Sequence, residues 1–250
     1  MWHTVRRTVA VRSRLARRRH NQHLSRLEAW TGDIGLYPLL RTPWFRHLGI
    51  QTVIDVGANT GQFAKLCRFI MPNARIVAFE PLPDCFHQLT TVFAHDDKFE
   101  AHNMALGSAT GNAQFNQNAF SPASSMLEMA TPHKTAFPFT ATTSAIEVRV
   151  LRLDDIIDPD HLTGPILLKM DVQGFESQVI AGGTRVLREA SIVLVEVSFI
   201  PLYFQQTSFA QLHESLAAAG FTFAGGFNPL ANPLDKQVIS QDCLFVRSLQ

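Results

Sequence analysis

Charge is scarce in this 250-residue chain: Asp, Glu, Lys and Arg make up 17% of it, against 46% apolar residues. A disordered chain needs the reverse balance, so a packed core is expected. Cysteine is scarcer still. The three present, Cys67, Cys85 and Cys243, do not form a closed set of pairs. Their spacing is not that of a zinc site, which points to a reducing compartment. No apolar run reaches the ~18 residues of a membrane span. The leading segment also lacks the continuous apolar stretch of a secretory signal. A net charge of +1 excludes a uniformly basic nucleic-acid binder. Internal repeats and low-complexity linkers are missing too, and with them any sign of a second folded domain.

The near-neutral total hides an asymmetry. Residues 1–30 hold eight arginines and one acid, Glu28, which leaves 14 basic against 20 acidic residues in the rest of the chain. The reading is therefore a basic extension over 1–30 and an acidic globular domain over 31–250. Trp2, Val5 and Val9 fall at helical spacing among the arginines. An amphipathic helix and a solvated tail both fit that pattern. An Arg-rich, acid-poor leader suits an organelle transit peptide or a segment that touches an anionic surface. With the thiols, this places the chain in the cytoplasm, with peripheral contact at the inner membrane face as an option. Leu24, Leu27 and Trp30, then Leu36, Leu39, Leu40, Trp44 and Phe45, predict one or two short helices packed onto the body.

From residue 51 strands and helices alternate. Thr52–Val56 is a β-branched run closed by Gly57. Phe63, Leu66, Cys67 and Ile70 give Gly61–Met71 a helical face. Strands follow over Arg75–Phe79 and Phe99–Met104, with a helix over Asp84–Ala94 between them. Ala113–Gln117 and Glu147–Leu153 alternate on either side of a long polar stretch, 118–145. Strands at Ile166–Met170 and Ile192–Val197 flank helices over Phe175–Ala181 and Thr184–Glu189. A last helix, Phe209–Ala219, precedes short strands at Phe221–Ala224 and Cys243–Val246, with no crossover helix between those two. Repeated β-α-β units predict a mostly parallel sheet covered by helices on both faces, with an antiparallel hairpin at one edge.

Ligands of such sheets bind outside the carboxyl ends of the strands, so the residues that end each strand are the candidates. The first strand ends in Asp55-Val56-Gly57-Ala58-Asn59-Thr60-Gly61. Two glycines allow a tight turn that brings backbone close to a ligand at a helix N-terminus; a bare βα turn is the alternative. The dinucleotide fingerprint G-x-G-x-x-G is absent, because Asn59 and Gln62 stand where glycines are needed. An acid two residues before the first glycine, and Glu80 at the end of the second strand, suit a ligand with cationic parts and a ribose diol. S-adenosylmethionine (SAM) has both.

The segments Val53–Gly61, Phe79-Glu80-Pro81, Asn103–Gly107, Leu153–Ile156, Leu168–Glu176 and Glu196-Val197-Ser198 together resemble the FkbM-type SAM-dependent methyltransferases, in that family's order and spacing. The resemblance implies the class I methyltransferase fold, an α/β, Rossmann-like fold with a seven-stranded central sheet. It also implies O-methylation of a hydroxyl, on a sugar of a glycan or glycolipid or on a polyketide-type metabolite. Asp55, Gly57, Asn59 and Gly61 then resemble the cofactor loop, Glu80 the ribose ligand, and Asn103 a residue near the adenine. Asn103 capping its own turn is the competing reading.

Asp171 ends the fourth strand, beside the expected methyl group, where a carboxylate can orient the acceptor hydroxyl and take its proton. Its competing role is to cap the following helix. Glu196, at the end of the fifth strand, is expected either to pair with Lys169 or to join Asp171 at the acceptor site. These two acids raise the question of a divalent metal. No third ligand follows from spacing, so none is expected. His133 is the candidate base within 118–145, a segment expected to lie over the cleft and bind the acceptor. Ser124 and Ser125 stand there too, as hydrogen-bonding or capping residues. The acids of 154–160 read as a solvated loop. Two rival functions remain: a catalytically silent SAM- or nucleotide-binding module acting through the Arg-rich arm on RNA or membrane, and an NAD-dependent oxidoreductase. The acidic body argues against nucleic acid, and the missing third glycine argues against NAD.

Overall fold

The computed structural model describes residues 24–32, 34–233 and 235–247. The leader helix expected through Trp2, Val5 and Val9 lies outside the described residues. Residues 24–31 are helical (α1), followed by α2 (Tyr37–Leu40) and α3 (Pro43–His47). The alternating part then runs β1 (Thr52–Val56), α4 (Gln62–Ile70), β2 (Arg75–Phe79), α5 (Pro83–Val92) and β3 (Phe99–His102). A second layer begins with β4 (Ala105–Leu106) and β5 (Gly111–Asn118), continues through α6 (Thr131–Ala136), and closes with β6 (Thr143–Leu151) and α7 (Leu153–Ile156). The main sheet resumes with β7 (Ile166–Met170), α8 (Glu176–Gly182), α9 (Thr184–Glu189), β8 (Ala190–Ser198), α10 (Phe209–Ala218), β9 (Phe221–Ala231) and β10 (Val238–Arg247).

The main sheet has seven strands in the order β3-β2-β1-β7-β8-β10-β9. The first five are parallel, and β10 runs antiparallel to both its neighbours. This is the expected class I methyltransferase architecture, with the reversed strand one place in from the edge. After β9 the chain turns back and inserts β10 between β8 and β9. Both strands are far longer than their apolar stretches suggested, because cross-strand hydrogen bonds carry them past their buried residues.

Continuous apolar strands arise because both faces are covered. Side chains alternate between two cores. Val53, Ile76, Ala78, Leu167, Ile192 and Leu194 pack with α1–α4 on one face. Ile54, Val56, Val77, Phe79, Leu168 and Val193 pack with the helices α7–α10 on the other. Leu27 of α1 is part of the first core. One irregularity sets the phase of β8. Ile166 pairs with Ala190, but Leu167 pairs with Ile192, so Ser191 is an extra residue bulging from β8.

The flanks of the 118–145 segment form a sheet of their own, which the sequence pattern did not reveal. β5 pairs with β6 over its whole length, from Gly111 opposite Val150 to Asn118 opposite Thr143, and β4 joins β6 in parallel. The polar stretch is thus the connection of a long hairpin. The acids after β6 are not merely solvated either. Asp154 accepts hydrogen bonds from the Arg185 and Val186 amides at the start of α9, and Asp158 pairs with Arg185 at 3.3 Å.

Candidate functional site

Strand register builds the site. Val56 pairs with Phe79 on one side and Met170 on the other, Phe79 pairs with His102, and Met170 with Val195. The next residue along each strand therefore falls in one row across the carboxyl edge: Asn103, Glu80, Gly57, Asp171 and Glu196. Glu196 in turn pairs with Asp242 of β10. A cavity of about 410 Å³ opens above this row. Gly57, Asn59, Glu80, Asp171 and Glu196 line one side, and Phe120, Ser121 and Met126 of the hairpin connection line another.

The turn after β1 needs its glycines for packing as much as for a ligand. Gly57 has φ +80°, and a Cβ there would sit 1.9 Å from the carbonyl oxygen of Asp171. Gly61 has φ +85°, starts α4, and has Leu89 where a Cβ would reach. Asn59 also adopts a left-handed conformation (φ +48°), which Asn tolerates better than most residues. Its amide Nδ2 donates to Ser121 Oγ (3.0 Å), tying the turn to the hairpin connection.

Glu80 is 4% exposed. Its Oε2 accepts from the Asn59 amide (2.8 Å) and its Oε1 from the Leu82 amide (2.9 Å). Burial pushes its pKa up to about 7, although the two amides pull the other way. Each oxygen keeps a second lone pair, and the residue lines the cavity. Asn103 turns its side chain away, donating to the carbonyls of Glu80 (2.9 Å) and Pro81 (3.1 Å). Met104 and Ala105 line the cavity instead. Asp55 lies beneath the turn, fully buried and outside the lining, with Lys169 Nζ 3.5 Å from Oδ1.

The expected Lys169–Glu196 pair does not form. Lys169 sits between Asp55 and Asp171, 3.3 Å from the latter. It shares Asp55's face of the sheet because the two are directly opposite in the β1–β7 register. Burial disfavours the ammonium, but Asp171, Asp55 and Asp242 outweigh it and hold the lysine charged. Asp171 does not cap a helix. α8 begins at Glu176, whose carboxylate takes the amides of Val172 (3.3 Å) and Gly174 (3.0 Å).

The side chain of Gln173 joins the two acids. Its Nε2 donates to Asp171 Oδ1 (2.9 Å) and Glu196 Oε2 (2.5 Å). Its Oε1 lies 3.1 Å from the Tyr203 hydroxyl, which is also 3.0 Å from the Ala123 carbonyl. Gln173 holds φ +54°, an uncommon conformation for a non-glycine residue and one that this network fixes. The environments of the two acids diverge. Burial pushes Asp171 up, but Lys169 and the Gln173 amide outweigh it and hold the carboxyl below its ordinary range. Burial and the nearby charges of Asp171 and Asp242 hold Glu196 well above its own. The two neighbouring carboxyls are thus set apart, Asp171 biased toward its ionised form and Glu196 toward its protonated one.

His133 does not line the cavity. It is 5% exposed and packs edge-on against Phe137 and Tyr203. Burial pulls its pKa down. Ser124 accepts from the Asn118 amide (2.9 Å), and Ser125 donates to the Gln173 carbonyl (2.8 Å). Both serines therefore shape the segment over the cleft. Among the described residues no group of three or more His, Cys, Asp or Glu side chains is placed to hold a metal ion. Gln173, Tyr203, Asp242 and Phe120 were not singled out by the motif reading. Asp242 was one residue from discovery, since the expected last strand began at Cys243.

The chain belongs to the FkbM methyltransferase family. The family's domain, described as "Methyltransferase FkbM domain", matches residues 55–223. Among curated proteins, a 2-O-methyltransferase, NoeI, of Sinorhizobium fredii is 28% identical over 60% of this chain and 65% of its own length. A hexuronic acid methyltransferase, AglP, of Haloferax volcanii is 27% identical over 57% of this chain and 54% of its own length. The match thus spans a little over half to about two-thirds of these relatives. Among solved structures, magnesium protoporphyrin IX methyltransferase from Synechocystis with bound SAM is similar at a TM-score of 0.43 and 13% identity. It covers 92% of this chain and 80% of that one. No helix of the described residues is long and apolar enough to cross a membrane.

Proposed function

We propose that this chain transfers a methyl group from SAM to a hydroxyl oxygen of a sugar in a glycan or glycolipid. The observation that carries the reading is the row of polar strand ends beneath one cavity, with the carboxyls of Asp171 and Glu196 bridged by the Gln173 amide. The residues suit the cofactor. The glycine turn leaves open backbone at the start of α4, and Glu80 offers two oxygens, each with a lone pair, to a ribose diol. Bound there, SAM supplies an activated methyl group on a sulfonium, with its own leaving group.

The chain's residues then have three tasks. Glu80 and the Gly57–Gly61 turn hold the cofactor. Asp171, one-third exposed at the cavity wall, orients the acceptor hydroxyl and receives its proton. Its basicity is reduced by Lys169, so the proton moves late, when the oxygen has become acidic through bond formation. Glu196, held well above its ordinary range, favours the protonated form and so weakens the negative charge beside the proton acceptor. No step falls to His133, which lies outside the cavity lining, and none needs a metal.

AglP, named a hexuronic acid methyltransferase, supports a sugar acceptor, and NoeI, named a 2-O-methyltransferase, supports transfer to oxygen. The test is release of S-adenosylhomocysteine on a panel of glycosides. Asp171→Asn should keep cofactor binding and lose turnover; a variant that turns over normally rejects the assignment. A wild-type protein that binds SAM but methylates no sugar rejects the acceptor class. The same proposal divides the chain into a basic extension, 1–30, and the catalytic domain, 31–250. The extension would bear on location, through peripheral contact with an anionic membrane at its cytoplasmic face. Deleting residues 1–23 should then lower binding to anionic liposomes and leave methyl transfer intact.

A further inference from the structure

Two exposed phenylalanines stand on the hairpin connection, Phe120 at the cleft and Phe139 against it. Phe120 lines the cavity and is 50% exposed; Phe139 is 69% exposed. Their rings meet edge to face at 5.6 Å and 78°. We propose that Phe120 and Phe139 form an acceptor subsite that takes the apolar C–H face of an uncharged pyranose ring, an inference that rests on the sugar-methylation reading above.

The pair is built rather than incidental. Asn118, 3% exposed, lies between the two turns that carry the rings. Its Oδ1 accepts from the Phe120 amide (2.9 Å), and its Nδ2 donates to the carbonyls of Thr140 (2.6 Å) and Thr142 (3.2 Å). One buried side chain thus fixes both ring-bearing turns before any ligand arrives, which lowers the ordering cost of binding. Phe139 rests in turn on Phe137, Phe137 on His133, and His133 on Tyr203, in a run of edge-on rings. Tyr203 meets Gln173, which holds the two carboxyls. The platform is therefore packed continuously onto the element that orients the acceptor's proton acceptor.

The occupant follows from two chemistries at one opening. The carboxyl row needs a ligand edge of hydroxyls, and the rings need an apolar face. A pyranose presents both, whereas an acyl chain has no hydroxyl edge. Charge narrows the class further. Among the described lining residues Lys169 is the one basic side chain, and it is already engaged by Asp55 and Asp171. Glu80, Asp171, Glu196 and Asp242 all line the same cavity. A uronate carboxylate would meet acids without a free cation.

Saturation-transfer NMR on the full chain with S-adenosylhomocysteine present tests this. The probes are methyl pyranosides of neutral hexoses and deoxyhexoses, methyl glucuronide, and octanoate. Saturation is expected on ring C–H protons of a neutral pyranoside, and less on the glucuronide. Phe120→Ala and Phe139→Ala should each weaken pyranoside binding about 3- to 10-fold, Phe120→Tyr should restore it, and Phe139→Ala, outside the cavity lining, should leave affinity for S-adenosylhomocysteine unchanged. Unchanged pyranoside binding in both alanine variants overturns the subsite. So does saturation of octanoate or the glucuronide in preference to every neutral sugar, or of no pyranoside at all. Loss of S-adenosylhomocysteine binding by the wild type strikes the methyltransferase reading itself, a separate outcome.

Discussion

Glu80 should make ligand binding depend on pH in the neutral range. Its folded pKa is about 7, against an unperturbed 4.5, with burial as the main cause. The folded state therefore holds this proton more tightly than the unfolded chain. The stabilisation is fully present below pH 4.5 and is lost as pH rises through 7. A ribose diol that donates to the carboxylate reverses the preference, because the ionised acid is the better acceptor. Binding then carries a factor of 1 + 10^(pKa − pH), which is about 11 at pH 6 and about 1.1 at pH 8. The Kd should accordingly rise about tenfold between pH 8 and pH 6, with about half a proton released per ligand at pH 7. 5′-Methylthioadenosine is the suitable probe, because it carries the ribose without the titrating amine of the amino-acid end. Calorimetry in two buffers of different ionisation enthalpy measures both quantities. Glu80→Gln should flatten the profile. It should also weaken binding at pH 8 by roughly 10- to 100-fold, the scale of a hydrogen bond to a charged group. A wild-type Kd that stays flat from pH 6 to 8, or a slope that survives in Glu80→Gln, would refute the ribose role.

Three further outcomes follow from the packing. Gly57→Ala forces a Cβ into the Asp171 carbonyl at a left-handed backbone position. It should cost about 2–5 kcal/mol in chemical denaturation, and a loss under 0.5 kcal/mol would contradict the close approach. Lys169→Met strands Asp55, whose two oxygens have no hydrogen-bond partner. A loss of about 3–5 kcal/mol is expected, much of it recovered by adding Asp55→Asn, whereas equal stability of the single and double variants would reject that coupling. Gln173→Leu removes the donor shared by Asp171 and Glu196. Carboxyl ¹³C titration should show Asp171 moving upward, and the low-pH limb of kcat should follow it; an unmoved Asp171 would assign Gln173 to packing alone.

The parallel half of the sheet was legible from residue type, because each strand there is a short run buried on both faces. Arg75–Phe79 and Ile166–Met170 match the observed strands residue for residue. β9 and β10 were truncated, since Gly225, Gly226 and Asn228 carry no strand signal; the glycines are held by pairing with β10, and Asn228, at a register shift, by its side chain on Asp242. At the site, Glu80, Asp171 and Glu196 were visible as acids that end strands. Asp55 shows the limit of that logic: it is one pleat too early, and its side chain points into the core beneath the turn. Gln173 was hidden because its role depends on two carboxyls 2 and 23 residues away and on a tyrosine beyond the recognisable motifs. Lys169 took its partners from register, not from the ends of neighbouring strands.

The extra residue in β8 acts as a phase shifter. Without the bulge at Ser191, β8 would advance by one position against β7. Val195, not Glu196, would then stand beside Asp171, and the next acid would turn toward the helices. The chemistry at one end of the strand is thus set by a backbone defect at the other, several residues away. An alignment of relatives anchored at the start of this strand would misassign the acid by one position. Anchored at its carboxyl end, the same alignment would report whether the Asp171–Glu196 pair exists.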